Sequence, residues 1–252
     1  MPEEPKLALF IDLENLALGA VQAKLDDFDI QKVLERLVEK GKIIVKKAYA
    51  DWTSYKKFKQ RLHESGIELI DIPQRRYSGK NSADIKMVVD AIDLCYSKEH
   101  INYFVLASGD SDFAPLVAKL KENDKTVIGV GLRQSTSELL SGSCDEFIFY
   151  DDLVQKAPSG TQVLANVPKK KQKAFEMVLD AIDALKREDK DVIWSSMVKQ
   201  TIKRKQPSFS ETTYGYSNFS ELLVDGARLG LFEIKKDDKS GSYVISDASK
   251  KS

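Results

Sequence analysis

The chain has 252 residues, of which 42% are hydrophobic and 9% aromatic, a composition typical of a globular protein with one large or two ordinary domains. Its 39 Lys and Arg residues balance 39 Asp and Glu residues, so the average charge offers no attraction to nucleic acid or anionic lipid. No apolar stretch is long enough to cross a bilayer, and we expect a cytoplasmic protein without membrane contact. The two cysteines and two histidines are too scattered for a thiolate metal site, and no disulfide is predicted.

The N-terminal part alternates predicted strands and helices in chain order. Strands are predicted at 7–11, 42–50, 67–72, 101–108, 125–131 and 145–150, and helices at 31–40, 51–66, 81–97, 111–124 and 135–143. Short connections between alternating elements predict an α/β fold, with a parallel sheet covered by helices on both faces. Ligands of such sheets bind at the carboxyl ends of the strands.

A change of composition and charge divides the chain. Residues 1–168 carry 22 Lys and Arg against 26 Asp and Glu, a net charge of −4, whereas residues 169–252 carry 17 against 13, a net charge of +4. Residues 151–171 contain two prolines and a lysine run without sustained periodicity. We therefore predict a first domain over 1–150, a linker over 151–171 and a second domain over 172–246.

The second domain has a different pattern. Helices are predicted at 171–188, 195–205 and 217–230, followed by strands at 231–236 and 242–246. Three helices and a two-stranded wing predict a small winged-helix-like domain. Its third helix offers one base, Arg228, against Glu221 and Asp225, so duplex DNA is a disfavoured partner.

Acidic residues of the first domain come from three separate segments. Asp12 and Asn15 follow the first strand, Ser108, Asp110 and Asp112 end the strand at 101–108, and Asp84 lies in the first turn of the helix at 81–97. Taken singly, each could serve as a helix cap. Together they would converge on one sheet edge, where their repulsion would raise their pKa values unless a cation intervened. Oxygen ligands without nearby Cys or His select Mg²⁺ or Mn²⁺.

The helix at 81–97 determines which acids point inward. A helical projection gives it an apolar face composed of Ile85, Val88, Ile92, Cys95 and Tyr96. Asp84 falls at the edge of that face and is expected to face the protein, whereas Asp90 and Asp93 are expected to face water.

A metal held by carboxylates suits phosphoryl chemistry, because it polarises a phosphate and activates a water. Arg75, Arg76 and Lys80 precede Asp84 in a loop and are candidates for contacting a phosphate backbone. The alternative for them is a solvated basic loop.

Three motifs in the first domain resemble the NYN domain family, a branch of the PIN-like ribonucleases. They are IDLENL at 11–16, NSADIKMVVD at 81–90 and SGDSDF at 108–113, within a similarity that covers roughly residues 6–150. The resemblance implies a Rossmann-like fold, cleavage of RNA, and a metal site built from Asp12, Asp84, Asp110 and Asp112 with help from Asn15 and Ser108. For Asp112, a role in orienting the other ligands from behind is the alternative.

The second domain resembles the OST-HTH (LOTUS) family in AFEMVLDAIDALKRED, IWSSMVKQTIKRKQPSFS, YGYSNFSELL and LGLFEIKK. The resemblance implies binding of RNA or of a protein partner. A basic helix end leads into an aromatic loop, so phosphate contacts and stacking platforms would lie close together. The candidate RNA contacts are Lys199, Lys203, Arg204, Lys205, Tyr214 and Tyr216. A core position is the open alternative for Phe209, Tyr214 and Tyr216, and the core is expected for Trp194, Phe219 and Leu222.

These patterns predict a metal-dependent ribonuclease whose second domain supplies the RNA affinity that the acidic half lacks. A noncatalytic scaffold that binds RNA or a protein partner stays open. A phosphatase with an aspartyl nucleophile is disfavoured, because Glu14 occupies the position where such enzymes usually have a second aspartate. The surface helices neither demand nor exclude a homodimer.

Overall fold

The computed structural model describes residues 4–25, 28–72, 81–155, 167–188, 192–237 and 240–246. The chain divides into two compact units, and the first of them ends at Gln155. Within the described ranges, no helix is both long and apolar enough to span a membrane. Most of the predicted linker, residues 156–166, lies outside the described residues.

The first unit is a six-stranded sheet covered by helices. Its elements are β1 (Lys6–Asp12), α1 (Leu13–Gln22), α2 (Ile30–Lys40), β2 (Lys42–Ala50), α3 (Lys56–Glu64), β3 (Glu68–Asp71), α4 (Ser82–Ser97), β4 (Tyr103–Ala107), α5 (Ala114–Glu122), β5 (Thr126–Gly131), α6 (Glu138–Ser143), β6 (Glu146–Phe149) and α7 (Tyr150–Gln155). A 3₁₀ turn at Ser111–Phe113 precedes α5. All strand pairs are parallel, which confirms the predicted α/β fold.

The strand order is β3-β2-β1-β4-β5-β6, which is the Rossmann-like order. The chain builds outward from β1 in one direction through β2 and β3, and then returns to the other side of β1 with β4. This reversal leaves a crevice between the carboxyl ends of β1 and β4, where α/β sheets bind their ligands.

Both faces of the sheet are buried. Along β1, Leu7, Leu9 and Ile11 belong to one core cluster, while Ala8 and Phe10 belong to the other. This alternation follows from the two-residue period of a strand, and the continuous apolar run follows from burial on both sides. Helices α1, α2 and α3 contribute to the first cluster, and α4, α5 and α6 contribute to the second.

Two helices of the first unit were not predicted. Helix α1 follows β1 directly, and its apolar residues Leu13, Leu16, Ala17 and Ala20 have helical spacing, so the signal was present in the sequence. Helix α7 lies in the segment predicted as a linker, which therefore begins later than residue 151.

The predicted orientation of α4 is correct only in part, since Val88, Ile92 and Cys95 pack on the core and Asp93 is exposed, as predicted. Its buried residues are Met87, Ala91 and Cys95, whereas Ile85 is 64% exposed and Tyr96 58% exposed. Asp90 does not face water: the hydroxyl of the buried Tyr49 donates to its Oδ2 at 2.8 Å, and Lys47 Nζ lies 3.4 Å from the same oxygen. A buried tyrosine hydroxyl requires a partner, and this requirement turns the Asp90 side of the helix inward.

In its described residues, the second unit has three α-helices and a three-stranded antiparallel sheet, as expected for a winged-helix-like domain. Its elements are α8 (Lys169–Arg187), β7 (Ile193–Trp194), α9 (Ser195–Lys205), α10 (Phe219–Arg228), β8 (Glu233–Lys236) and β9 (Tyr243–Ser246). The short strand β7, which pairs with β9, is an addition to the predicted pattern. Phe175, Val198, Leu222 and Phe232 are central to the core.

Candidate active site

Asp12 ends β1 at the crevice and is held by two hydrogen bonds. As the N-cap of α1, its Oδ1 accepts from the Asn15 backbone N–H at 3.2 Å. Its Oδ2 accepts from Ser108 Oγ at 2.9 Å. Asp12 is 7% exposed and Ser108 is fully buried, so the carboxylate has one fixed orientation between the ends of β1 and β4.

The loop after β4 is fixed to the loop after β1. The Asn15 side-chain oxygen accepts from the Gly109 N–H at 2.8 Å, and Ser108 Oγ accepts from the Asp110 N–H at 3.2 Å. Asp110 caps the following 3₁₀ turn, because its Oδ1 accepts from the Asp112 N–H at 3.0 Å. The structure therefore brings Asp12, Asn15, Ser108, Asp110 and Asp112 to one sheet edge.

Asp84 completes the group from the first turn of α4, where it is partly buried as predicted. Burial raises its pKa, and the negative charges of Asp110 and Asp112 raise it further. Burial likewise raises the pKa of Asp12 to about 6, against the hydrogen bonds from Asn15 and Ser108 and with a contribution from Asp84. The carboxylates from the three segments therefore lie close enough to repel one another.

The carboxylates do not form a closed ligand set. Within the part of the chain that the structure describes, no three His, Cys, Asp or Glu side chains are grouped as they would be around a metal ion. Both oxygens of Asp12 accept hydrogen bonds, Asp110 Oδ1 caps a turn, and like charges repel, which accounts for the open arrangement. The donor chemistry, carboxylate oxygen from three segments, fits a hard divalent cation. The metal role of Asp12, Asp84, Asp110 and Asp112 stays a prediction.

Three neighbours of the cluster were not among the predicted site residues. Glu14, on the first turn of α1, raises the pKa of both Asp12 and Asp84, and it lies within the IDLENL motif that could have indicated it. Asn81 Nδ2 donates to Asp112 Oδ2 at 3.3 Å. Tyr55 precedes α3, and its pKa is raised by burial and by Glu14 and Asp12, which places it beside the cluster without any motif to mark it.

The residues predicted to contact phosphate differ in how far the structure describes them and in whether they are already paired. Arg75, Arg76 and Lys80 lie outside the described residues. In the second unit, Lys203 is exposed near the end of α9. Its neighbours are engaged within their own domain. Lys199 Nζ lies 2.5 Å from Glu211 Oε1, Arg204 Nη2 donates to Thr201 Oγ1 at 3.1 Å, and Lys205 Nζ lies 2.7 Å from Asp180 Oδ2.

Tyr216 is wrong as a stacking platform for RNA bases. It is 3% exposed, its hydroxyl donates to Asp225 Oδ2 at 2.7 Å, and its ring packs edge-on against Phe175. Phe209, Phe219 and Leu222 are also buried. Tyr214 is half-buried and stacks on Phe209 with the ring centroids 6.0 Å apart, and Trp194 is half-buried rather than in the core.

Comparisons with known proteins agree with this geometry. The NYN domain model matches residues 6–151, and the OST-HTH/LOTUS domain model matches residues 173–244. An uncharacterized protein of Methanocaldococcus jannaschii is 28% identical over 145 residues, which are 58% of this chain and 55% of that protein. The chain therefore spans little more than half the length of this relative.

A solved structure is similar to the first unit. It is a Vibrio parahaemolyticus protein of unknown function, with a TM-score of 0.54 and 25% identity, and the match covers 61% of this chain and 97% of that one. The strand order, the acidic crevice and the two domain matches lead to one conclusion. The chain belongs to the NYN domain family, and its NYN domain is followed by an OST-HTH/LOTUS domain.

Proposed function

We propose that the protein is a ribonuclease that depends on Mg²⁺ or Mn²⁺ and hydrolyses RNA phosphodiesters in the crevice between β1 and β4. The main support for this proposal is that Asp12, Asp84 and Asp110 lie near one another and repel one another. They lie near the carboxyl ends of β1 and β4, where the strand order of the sheet reverses. Membership of a nuclease-related family agrees with it.

The side chains have distinct tasks in this proposal. Asp12, Asp84 and Asp110 would hold the divalent ion, which would supply an activated water and charge neutralisation for phosphodiester hydrolysis. Asn15 and Ser108 orient Asp12 and tie its loop to the loop after β4. Asp112 accepts from Asn81 and donates its N–H to Asp110, which supports a role in orienting Asp110.

The second domain would supply affinity for RNA. The net charge of residues 169–252 is +4, whereas that of residues 1–168 is −4, so the acidic half gains from a tethered basic module. Duplex DNA stays disfavoured, because Arg228, the base of the third helix, lies 2.6 Å from Asp225 Oδ1 and is paired there. We expect single-stranded or looped RNA, whose backbone and bases are accessible to exposed basic side chains.

The test is a metal titration with mixed-sequence RNA that follows cleavage and binding in parallel. Asp12→Asn is expected to abolish cleavage and to leave binding by the second domain largely intact. Asp124→Asn is the matched control: Asp124 is exposed at the opposite sheet edge, before β5, and its positive φ of 57° is one that Asn tolerates.

Cleavage that requires Mg²⁺ or Mn²⁺, that survives in the control and that is absent in Asp12→Asn would support the proposal. Equal cleavage by Asp12→Asn and the parent would exclude the carboxylate cluster as the site. Binding without product at every metal concentration would instead identify a noncatalytic RNA-binding scaffold.

A further inference from the structure

Helix α4 exposes an apolar stripe. Ile85 is 64% exposed, Val89 55% and Tyr96 58%, and Ile92 is partly buried between them. The spacing of these four residues is four, three and four, which places them in one line along the helix. The opposite side of α4, through Met87, Ala91 and Cys95, is the side that packs on the sheet. Ile92 also packs against the core of the first unit, whereas Ile85, Val89 and Tyr96 are additional to the residues that fold it.

Single exposed apolar residues are ordinary on protein surfaces, but a continuous line of large ones is typical of an interaction surface. Isoleucine, valine and tyrosine offer the stripe no cationic group, so it is unsuited to a nucleic acid backbone. An apolar helix face that is three turns long is suited to packing against another helix with the same pattern.

The stripe is symmetric about its own centre. Ile85 and Tyr96 lie equally far from the midpoint between Asp90 and Ala91, and Val89 and Ile92 are likewise equally far from it. In an antiparallel pair of two α4 helices related by a twofold axis, each stripe residue would therefore face another stripe residue. Self-complementarity of this kind is what an isologous dimer interface requires.

The charges beside the stripe agree with the same pairing. Lys86 and Asp93 are both exposed and lie on the same flank of the stripe at 100° per residue. Lys86 Nζ also lies 2.5 Å from Asp90 Oδ1 of its own helix, one turn away. In an antiparallel pair with twofold symmetry, the corresponding flanks of the two helices lie on the same side of the pair. Lys86 of one copy therefore lies near Asp93 of the other. Residue 86 of one copy lies directly opposite residue 95 of the other, which is two positions, or about 3 Å along the helix, from Asp93. A lysine side chain spans this distance.

We propose that this surface, Ile85, Val89, Ile92 and Tyr96 with Lys86 and Asp93 at its flank, joins two copies of the chain as an antiparallel α4–α4 dimer. A single helix pair is a small interface compared with the about 1,200 to 2,000 Å² of specific stable complexes, so we expect a weak dimer whose population rises with concentration. The occupant of the surface is a second copy of this chain, because the stripe and its flanking charges complement themselves.

The experiment is sedimentation velocity of the full chain across the micromolar range, with Val89→Glu as the variant. The parent is expected to approach twice its 28.3 kDa mass as concentration rises. Val89→Glu places a charge near the centre of the interface and is expected to weaken association by more than about tenfold. Leu139→Glu is the matched control, because Leu139 on α6 is 63% exposed and lies outside the stripe.

A charge exchange tests the register. Lys86→Glu and Asp93→Lys are each expected to weaken the dimer. The double variant is expected to dimerise more tightly than Lys86→Glu, because both intermolecular pairs then have reversed polarity, while the Lys86–Asp90 pair is lost in both variants. Melting curves show that each variant remains folded. A parent that stays monomeric throughout, or that dimerises equally well as Val89→Glu, overturns the proposal, and a double variant weaker than both single variants overturns the antiparallel register.

Discussion

The ionised form of Asp12, which a cation would bind, also destabilises the fold. The residue is 7% exposed, and burial raises its pKa to about 6 even though Asn15 and Ser108 donate hydrogen bonds to it. The folded state therefore binds a proton more tightly than the unfolded chain does, and the ionised carboxylate destabilises the fold at neutral pH. A bound cation would reverse this effect, which is the behaviour expected of a functional rather than a structural carboxylate.

We expect Asp12→Asn to raise the stability of the metal-free protein while it removes cleavage. Because the folded pKa of Asp12 is raised from 3.8 to about 6, the destabilisation is absent below pH 4 and grows to its full size above pH 6. The gain for the variant is on the order of 2 to 3 kcal/mol at pH 8 and near zero at pH 4. Urea unfolding in EDTA at the two pH values measures it. A variant that is less stable than the parent at pH 8 would show that the ionised form is stabilised by contacts other than those described above.

Gly109 allows the loop after β4 to pass close to the segment after β5. A Cβ atom at this position would lie 2.3 Å from the Ser135 backbone oxygen and 2.9 Å from the Thr136 Cα. The Gly109 N–H donates to Asn15, and its carbonyl accepts from the Ser137 N–H at 2.9 Å. The contact that joins the two site loops thus depends on the absence of a side chain.

Gly109→Ala is expected to lower the unfolding free energy by about 1 to 3 kcal/mol, because the backbone must shift to accept the methyl group. The same shift breaks the Asn15 contact and is expected to reduce cleavage more than RNA binding. Gly142→Ala in α6 is the control, since its Cβ would meet no atom within 4 Å and alanine favours a helix. Parallel unfolding curves and cleavage assays compare the two. Equal behaviour of both variants would mean that the Ser135 segment moves freely.

At the level of the elements, Asp225 on α10 connects three parts of the second unit. It accepts from the Tyr216 hydroxyl at 2.7 Å, from Lys171 on α8 at 2.9 Å and from Arg228 at 2.6 Å. The hydrogen bond from Tyr216 contributes most to lowering the pKa of Asp225, and the contacts with Lys171 and Arg228 lower it further, to about 2. Tyr216 is buried because it completes this network, and its ring joins the core instead of the surface.

Because the folded pKa of Asp225 is below its unfolded value of 3.8, its contribution to stability is complete above pH 4 and disappears as the pH falls towards 2. Asp225→Asn is therefore expected to lower the melting temperature of the second unit at pH 7, with the difference shrinking between pH 4 and 2. Calorimetry of the full chain resolves this transition. Asp183→Asn on α8, where the carboxylate is 37% exposed, is expected to change little. A difference that stays constant down to pH 2 would assign the effect to packing instead of charge.

The sequence predicted the elements better than their orientation. Apolar runs identified all six strands of the first unit, and the acids that follow two of them were placed on the correct sheet edge because parallel strands end together. The periodicity of α4 located part of the face that packs, Val88, Ile92 and Cys95, but included the exposed Ile85 and Tyr96 and missed the buried Met87 and Ala91. That choice depends on Tyr49 of a distant strand, whose buried hydroxyl requires Asp90, and no local pattern contains this information. The burial of Tyr216 depends on Asp225 in the same way.

At the level of the whole molecule, the two parts of the chain differ in net charge. In the proposed function, the acidic crevice would repel a polyanion until a bound cation neutralised it, whereas the net positive charge of the second domain would attract one. Affinity and cleavage are therefore expected to be separable by mutation. Of the four candidate phosphate contacts at the end of α9, Lys203 is the one that the structure shows as exposed.

Lys203→Glu is expected to weaken RNA binding at low salt and to leave the cleavage rate at saturating RNA unchanged. Loss of one phosphate contact reduces the slope of log K against log salt by about 0.7 for a single-stranded RNA, so parent and variant should converge as salt rises. Lys98→Glu makes the same charge change at an exposed position of the first unit and is the control. Fluorescence anisotropy across a salt series, performed in the Asp12→Asn background so that the RNA stays intact, gives both slopes, and cleavage assays with Asp12 present compare the rates at saturating RNA. An unchanged slope for Lys203→Glu would place the RNA on another face of the second domain, and an equal loss in both variants would mean that net charge, not a contact at α9, determines the affinity.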